Sequence, residues 1–188
     1  MRAGVALASG QKRNENVRAE RGTVVNGYNL AELNIGRLLA STDDPRVAEF
    51  MNALDRVNGL GKRMPGFVWM SEGSGEPGTG NTAIKLEGDA QFVSNLTVWE
   101  SVETLEAFVW NTIHRQFYDR RAEWFEVLGR MHFVMWWVPV GHKPSIDEAM
   151  ERLAHLQEHG DTDEAFGWKH LPEARLWQSH NCNRMAAE

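Results

Sequence analysis

The sequence predicts an α+β fold of the ferredoxin-like βαββαβ type, a four-stranded antiparallel sheet with two helices on one face, plus an added C-terminal helix. Two observations carry this expectation. The apolar residues switch between period two and a helical period in that order along the chain. Turn or cap residues stand at the switches. A third observation bears on assembly. The strands are apolar on both faces, whereas an antiparallel sheet with one wet face should alternate apolar and polar residues. Something must cover the second face. A second copy of the sheet is the economical answer, so a homodimer is expected.

The elements follow in order. Ala31, Leu33 and Ile35 alternate with polar neighbours, which predicts a strand over about 28–35. Asp43 or Asp44 then caps a helix with Pro45 at its first helical position, and Val47, Phe50, Leu54, Val57 and Leu60 keep the helical period up to Gly61. Pro65-Gly66 turns the chain into a short strand, FVWMSE. The Gly-rich connection at 73–81 lacks the lysine of a phosphate-binding loop and reads as a hairpin loop. FVSNLTVW over 92–99 is the next strand. Ser101, with Thr104 behind it, caps a helical region that runs to about 129. HFVMWWVPVG is the last strand. Ser145 and Glu148 form a capping-box pattern, and Gly160 closes that helix. The domain is expected over 27–168. It is preceded by a polar leader at 1–26 and followed by a surface tail at 169–188.

Composition narrows the function. The chain of 188 residues carries a net charge of −6. No long basic run is present, which argues against nucleic acid as the main partner. No apolar run approaches the roughly 18 residues of a membrane-spanning helix. In the leader, GVALASG precedes QKRNENVRAER. A secretory signal puts its charge first and has a longer apolar stretch. Cys182 is the single cysteine, which excludes an internal disulfide framework and fits the cytoplasm. Eight tryptophans stand against two tyrosines, and five of them (Trp99, Trp110, Trp124, Trp136 and Trp137) lie between 99 and 137. Such a concentration of large rings needs a core, an interface or a pocket to hold it.

The stretch FVWNTIHRQFYDRRAEWF sets His114 and Arg121 among rings. On one continuous helix Trp110, His114, Phe117, Arg121 and Trp124 would share an arc of roughly 80°. That stripe either packs on the sheet or lines a pocket between helix and sheet. In the pocket reading His114 moves a proton, Arg121 anchors an oxygen, and Trp99, Trp110, Phe117, Trp124 and Trp136 bury a flat apolar substrate. Asn95 shares a strand face with Trp99 and is a further candidate; a strand Asn also often ties down a loop. His155 and His159 stand at i, i+4, a spacing that can grip a metal, but no third ligand accompanies them and no metal is expected. His142 follows the last strand and either bonds a turn or reaches the mouth of a barrel. No nucleophile elbow, Walker loop, dinucleotide fingerprint or Cys-rich zinc site is present.

The strings LAELNIGRL, DDPRVAEFMNALDRVNGL, NLTVWESVETLEAFVW, HRQFYDRRAEWF and WWVPVGHKPSIDEAMERLAHLQEHG resemble a bacterial family catalogued as domain of unknown function 3291, over about 28–168. The family is similar to members of the dimeric α+β barrel superfamily. That superfamily includes cofactor-independent antibiotic-biosynthesis monooxygenases, haem-degrading monooxygenases and muconolactone isomerases. The resemblance implies a small apolar or aromatic metabolite as ligand. It also implies cofactor-independent oxygenation or isomerisation by proton transfer. Asn95, Trp99 and His114 imitate the hydrogen-bonding inventory of the monooxygenases. The haem-degrading relatives place a ligating histidine late on the second helix, after a tryptophan. Trp110 and His114 are one turn apart and depart from that pattern, so no cofactor is expected and haem is the minor alternative. The rival reading is a non-catalytic ligand-binding or stress-associated dimer whose Trp-rich surface is mostly interface.

Overall fold

A computed structural model describes residues 27–72 and 89–185, with side chains up to residue 180. The leader and the Gly-rich connection at 73–81 lie outside the described residues. Four strands, β1 (Tyr28–Arg37), β2 (Phe67–Met70), β3 (Phe92–Trp99) and β4 (Phe133–Pro139), form one sheet in the order β2-β3-β1-β4. Every pairing is antiparallel. The helices are α1 (Ala48–Gly61), α2 (Val102–Asn111), α3 (His114–Asp119), α4 (Ile146–His159) and α5 (Arg175–Met185). None among the described residues is long and apolar enough to cross a membrane.

Local chemistry explains most of the boundaries. Ser101 and Thr104 form a reciprocal capping box at the start of α2. Ser145 accepts the Glu148 amide at 3.1 Å, and Gly160, with φ of 73°, ends α4. Gly66 adopts φ of 78°, and a Cβ there would stand 2.3 Å from Thr104 Cγ2. The turn that brings β2 beside the start of α2 therefore requires glycine. The helix expected from Asp43 or Asp44 starts later, at Ala48. Asp44 spends its carboxylate on the Arg46 amide (2.9 Å) and guanidinium instead of on a helix end.

The two sheet faces carry separate cores. Leu30, Trp99 and Met135 face α2 together with Phe166, Leu171 and Ala174 from the chain beyond α4. Ala31, Leu33, Ile35, Leu96, Val98, Val134, Trp136 and Val138 face Ala149, Leu153 and Leu156 of α4. That second face is the one for which the sequence reading invokes a second copy. The structure covers it from within the same chain, and Leu33, Val98 and Val134 are fully buried there. The apolar second face therefore gives no reason for a partner. The chain beyond 168 packs on this domain as well. Leu171 and Ala174 belong to the core, and three amides at the start of α5 are held by the buried carboxylate of Glu106 on α2, with Trp177 N–H at 2.8 Å.

Candidate functional site

A cavity of about 400 Å³ opens between the first sheet face and the α2–α3 segment. Its floor comes from strand register. β1 pairs with β3 so that Glu32 lies opposite Thr97 and Asn34 opposite Asn95, which sets four polar side chains side by side on the face of Leu30 and Trp99. Leu105, Phe108 and Val109 of α2 form one wall, continued by His114 and Tyr118 of α3. Phe133, stacked on Trp168 at 5.5 Å, and Trp177 complete it. Met131, His132, Asp161 and Lys169 line the cavity yet are exposed, so they mark its mouth.

The floor is electrostatically unusual. Glu32 is buried, and burial pushes its carboxyl up to about 8, although the hydrogen bond from Thr97 Oγ1 at 2.8 Å pulls the other way. A neutral carboxylic acid thus sits in the cavity at neutral pH. His114 shifts the opposite way. Burial pulls its ring down to about 4 against the support of the Val109 carbonyl, so the imidazole is neutral. Its Nδ1 is buried with no hydrogen-bond partner among the described residues. An acid and an imidazole, both uncharged and both set among aromatic walls, can hold and exchange a proton with a bound molecule.

His114 reaches this place through a helix break. Thr112 is extended (φ −123°, ψ −176°) and separates α2 from α3. Its hydroxyl donates to the Phe108 carbonyl at 2.6 Å and accepts the His114 amide at 3.1 Å, closing one helix and opening the next.

A scan against family models matches residues 29–182 to a family described as Domain of unknown function (DUF3291). The chain belongs to this family. No curated protein and no solved structure matches it. Family membership thus leaves the chemistry to be read from the cavity.

The cavity brings together two of the side chains singled out in the sequence, Asn95 and His114. The others stand elsewhere, because the 110–124 stripe is not one helix face: α3 ends at Asp119 and a 3-10 turn follows. Arg121 lies over the Tyr118 ring at 4.5 Å and donates to the Tyr118 carbonyl, outside the cavity lining. Phe117 and Trp124 pack on each other, with Trp124 in a third core cluster beside Leu38, Val47 and Val93. Trp110 meets the Tyr118 ring edge-on and the His180 ring at a tilt. Trp136 is on the opposite sheet face and donates to Glu148 at 3.1 Å. Trp99 lies beside the floor on the same sheet face, outside the cavity lining, and donates to Thr97 Oγ1 at 2.9 Å. His142 bonds Glu148 at 2.7 Å and so belongs to a turn. His155 bonds Thr162, and no group of three metal-holding side chains exists among the described residues.

Sequence reasoning missed Glu32, Asn34, Thr97, Tyr118, Trp168 and Trp177. Glu32 did leave a signal. A carboxylate in the middle of YNLAELNIGR, on the same face as Leu30, is costly to bury unless it has a use or a partner.

Proposed function

We propose that this protein binds a small, largely apolar carbonyl compound in the Glu32–His114 cavity and moves a proton on it, as an isomerase does. The observation that carries the reading is the buried acid at the cavity floor, which titrates at about 8, close to neutral working conditions. In this scheme Glu32 gives its proton to the ligand carbonyl oxygen while the His114 lone pair takes a proton from the adjacent carbon. The C–H electron pair becomes the new C=C bond, and an enol results. Where the ligand carries a β,γ double bond the enol is a dienol, and return of the His114 proton to the γ carbon with return of the enol O–H proton to Glu32 completes an isomerisation. Oxygenation is the less favoured chemistry, since an acid kept neutral suits protonation of a carbonyl better than formation of an electron-rich phenolate.

The strand order β2-β3-β1-β4 with antiparallel pairing supports the ferredoxin-like plan. It is compatible with kinship to the α+β barrels at the level of one subunit. In a shared barrel the second sheet faces of two subunits meet, and here α4 occupies that face. The cavity is built from one chain, so the proposed activity needs no second copy.

The test uses 2-acetylnaphthalene, a ketone with exchangeable α-protons, in heavy water. Binding read from Trp fluorescence, together with faster α-proton exchange by NMR that is lost in Glu32→Gln while binding persists, supports the proposal. Binding without exchange favours a non-catalytic binder. Absence of binding overturns the cavity as a small-molecule site.

A further inference from the structure

The hydrogen bonds beside the cavity floor have a fixed direction. An indole N–H can only donate, a threonine hydroxyl has one proton to give, and a protonated carboxyl has one O–H donor. Trp99 Nε1 donates to Thr97 Oγ1 at 2.9 Å. The Thr97 hydroxyl has no other acceptor within hydrogen-bond distance among the described residues, so its proton goes to Glu32 Oε2 at 2.8 Å. Trp99 and Thr97 are both buried, so water does not reorganise this chain. Oε2 is thus an acceptor, which makes it the carbonyl oxygen of the acid. The acid proton belongs on Oε1, which makes no hydrogen bond among the described residues. Which of the two carboxyl oxygens carries the proton is otherwise ambiguous, and here side-chain chemistry decides it.

We infer that Thr97, oriented by Trp99, is a positioning residue that presents Glu32 Oε1–H to the cavity as a hydrogen-bond donor, and that the site accordingly selects ligands with a carbonyl-type acceptor oxygen over isosteres that lack one. The inference rests on the proposed function for its ligand and goes beyond it in assigning the proton to one oxygen and a specificity role to two side chains. Burial, which keeps the acid neutral to about pH 8, supplies the condition under which the donor exists.

The experiment has two independent arms. The first is infrared difference spectroscopy at pH 6, with the carboxylic C=O band of Glu32 assigned by its disappearance in Glu32→Gln. Losing a hydrogen bond to the carbonyl oxygen raises its stretching frequency. Thr97→Val should move the band to higher wavenumber, and Thr97→Ser, which keeps the hydroxyl, should return it. Trp99→Phe, which leaves Thr97 in place but unheld, should broaden the band. A band unmoved in Thr97→Val, or no carboxylic band at all at pH 6, overturns the inference. The second arm compares 2-acetylnaphthalene with 2-ethylnaphthalene by calorimetry. The ketone should bind the wild type at least tenfold more tightly, and Thr97→Val should shrink that ratio severalfold. Equal binding of both by the wild type overturns the specificity claim. Binding of neither overturns the proposed function and the ligand half of this inference, while the Thr97-dependent band shift still decides the other half.

Discussion

The two faces of the sheet share the same strands and differ in what their side chains must do. The second face is apolar along almost its whole length: Ala31, Leu33 and Ile35 on β1 meet Val98 and Leu96 on β3, with Ser94 the one polar partner at its end, and α4 closes over them. The first face begins the same way with Leu30 beside Trp99, then turns polar at Glu32–Thr97 and Asn34–Asn95, and there the helix layer leaves a cavity. One face gains stability by excluding water completely. The other gives up part of that gain to hold an acid, two amides and a hydroxyl under aromatic walls. Position along the strand, and not strand composition alone, separates structure from site.

The largest effect should come from breaking the closed face. Trp136→Ala removes a fully buried ring and leaves Glu148 without its indole donor, so unfolding in urea should show a loss of about 3–5 kcal/mol. Affinity for the acetylnaphthalene probe at a temperature where the variant is folded should not change. A matching loss of affinity would mean that the two faces are coupled through the sheet.

Glu32→Gln on the open face should act through pH. The folded-state value, about 8, lies above the ordinary value of 4.5, so the folded chain binds the proton more tightly than the unfolded chain. Its contribution is fully present below pH 4.5 and is lost at roughly 1.4 kcal/mol per pH unit as pH rises towards 8. The variant should lack that decline and be more stable than the wild type at pH 8.5 in denaturant melts. An equal slope in both proteins would show that Glu32 titrates normally.

His114→Gln should remove a slope of the opposite sign, over a narrower pH window and so with a smaller total effect. The imidazole is held near 4 in the fold against 6.5 in its absence, so its contribution is lost as pH falls from 6.5 to 4. The variant should be the less pH-sensitive protein across that window, with calorimetric melting as the readout. Smallest of all should be Arg121→Lys. The side chain sits outside the cavity on Tyr118, so stability should move by less than about 1 kcal/mol and probe affinity not at all. A clear loss of probe binding would return Arg121 to the site.

Much of the fold was legible because its signals are local. β3 spans the same residues as the strand read from FVSNLTVW, and the Ser101, Ser145 and Gly160 caps stand where expected. Family membership was legible too, from long unusual strings. The site was only half legible. Periodicity runs straight through Asn111-Thr112-Ile113, so a stripe seemed continuous where the Thr112 hydroxyl in fact breaks the helix. That break moves Arg121 and Trp124 away while leaving His114 in place. Glu32 was passed over because β1 was read for its alternating apolar residues Ala31, Leu33 and Ile35, and only the register with β3 sets Glu32 beside Thr97 on the face of Leu30 and Trp99. The docking of α4 was hidden for a similar reason. Its apolar stripe of Ala149, Leu153 and Leu156 declares that the helix must pack, not on which surface.

The Glu106 carboxylate ties the far end of the chain to the cavity. It sits on α2 between the wall residues Leu105 and Phe108 and gathers the first amides of α5. A peptide cleaved before Arg175 would strand that carboxylate in a dry interior with nothing to receive it, and α2 would have to rotate or fray to wet it. Protease nicking at the C-terminal helix should therefore register in hydrogen exchange along α2, some seventy residues upstream.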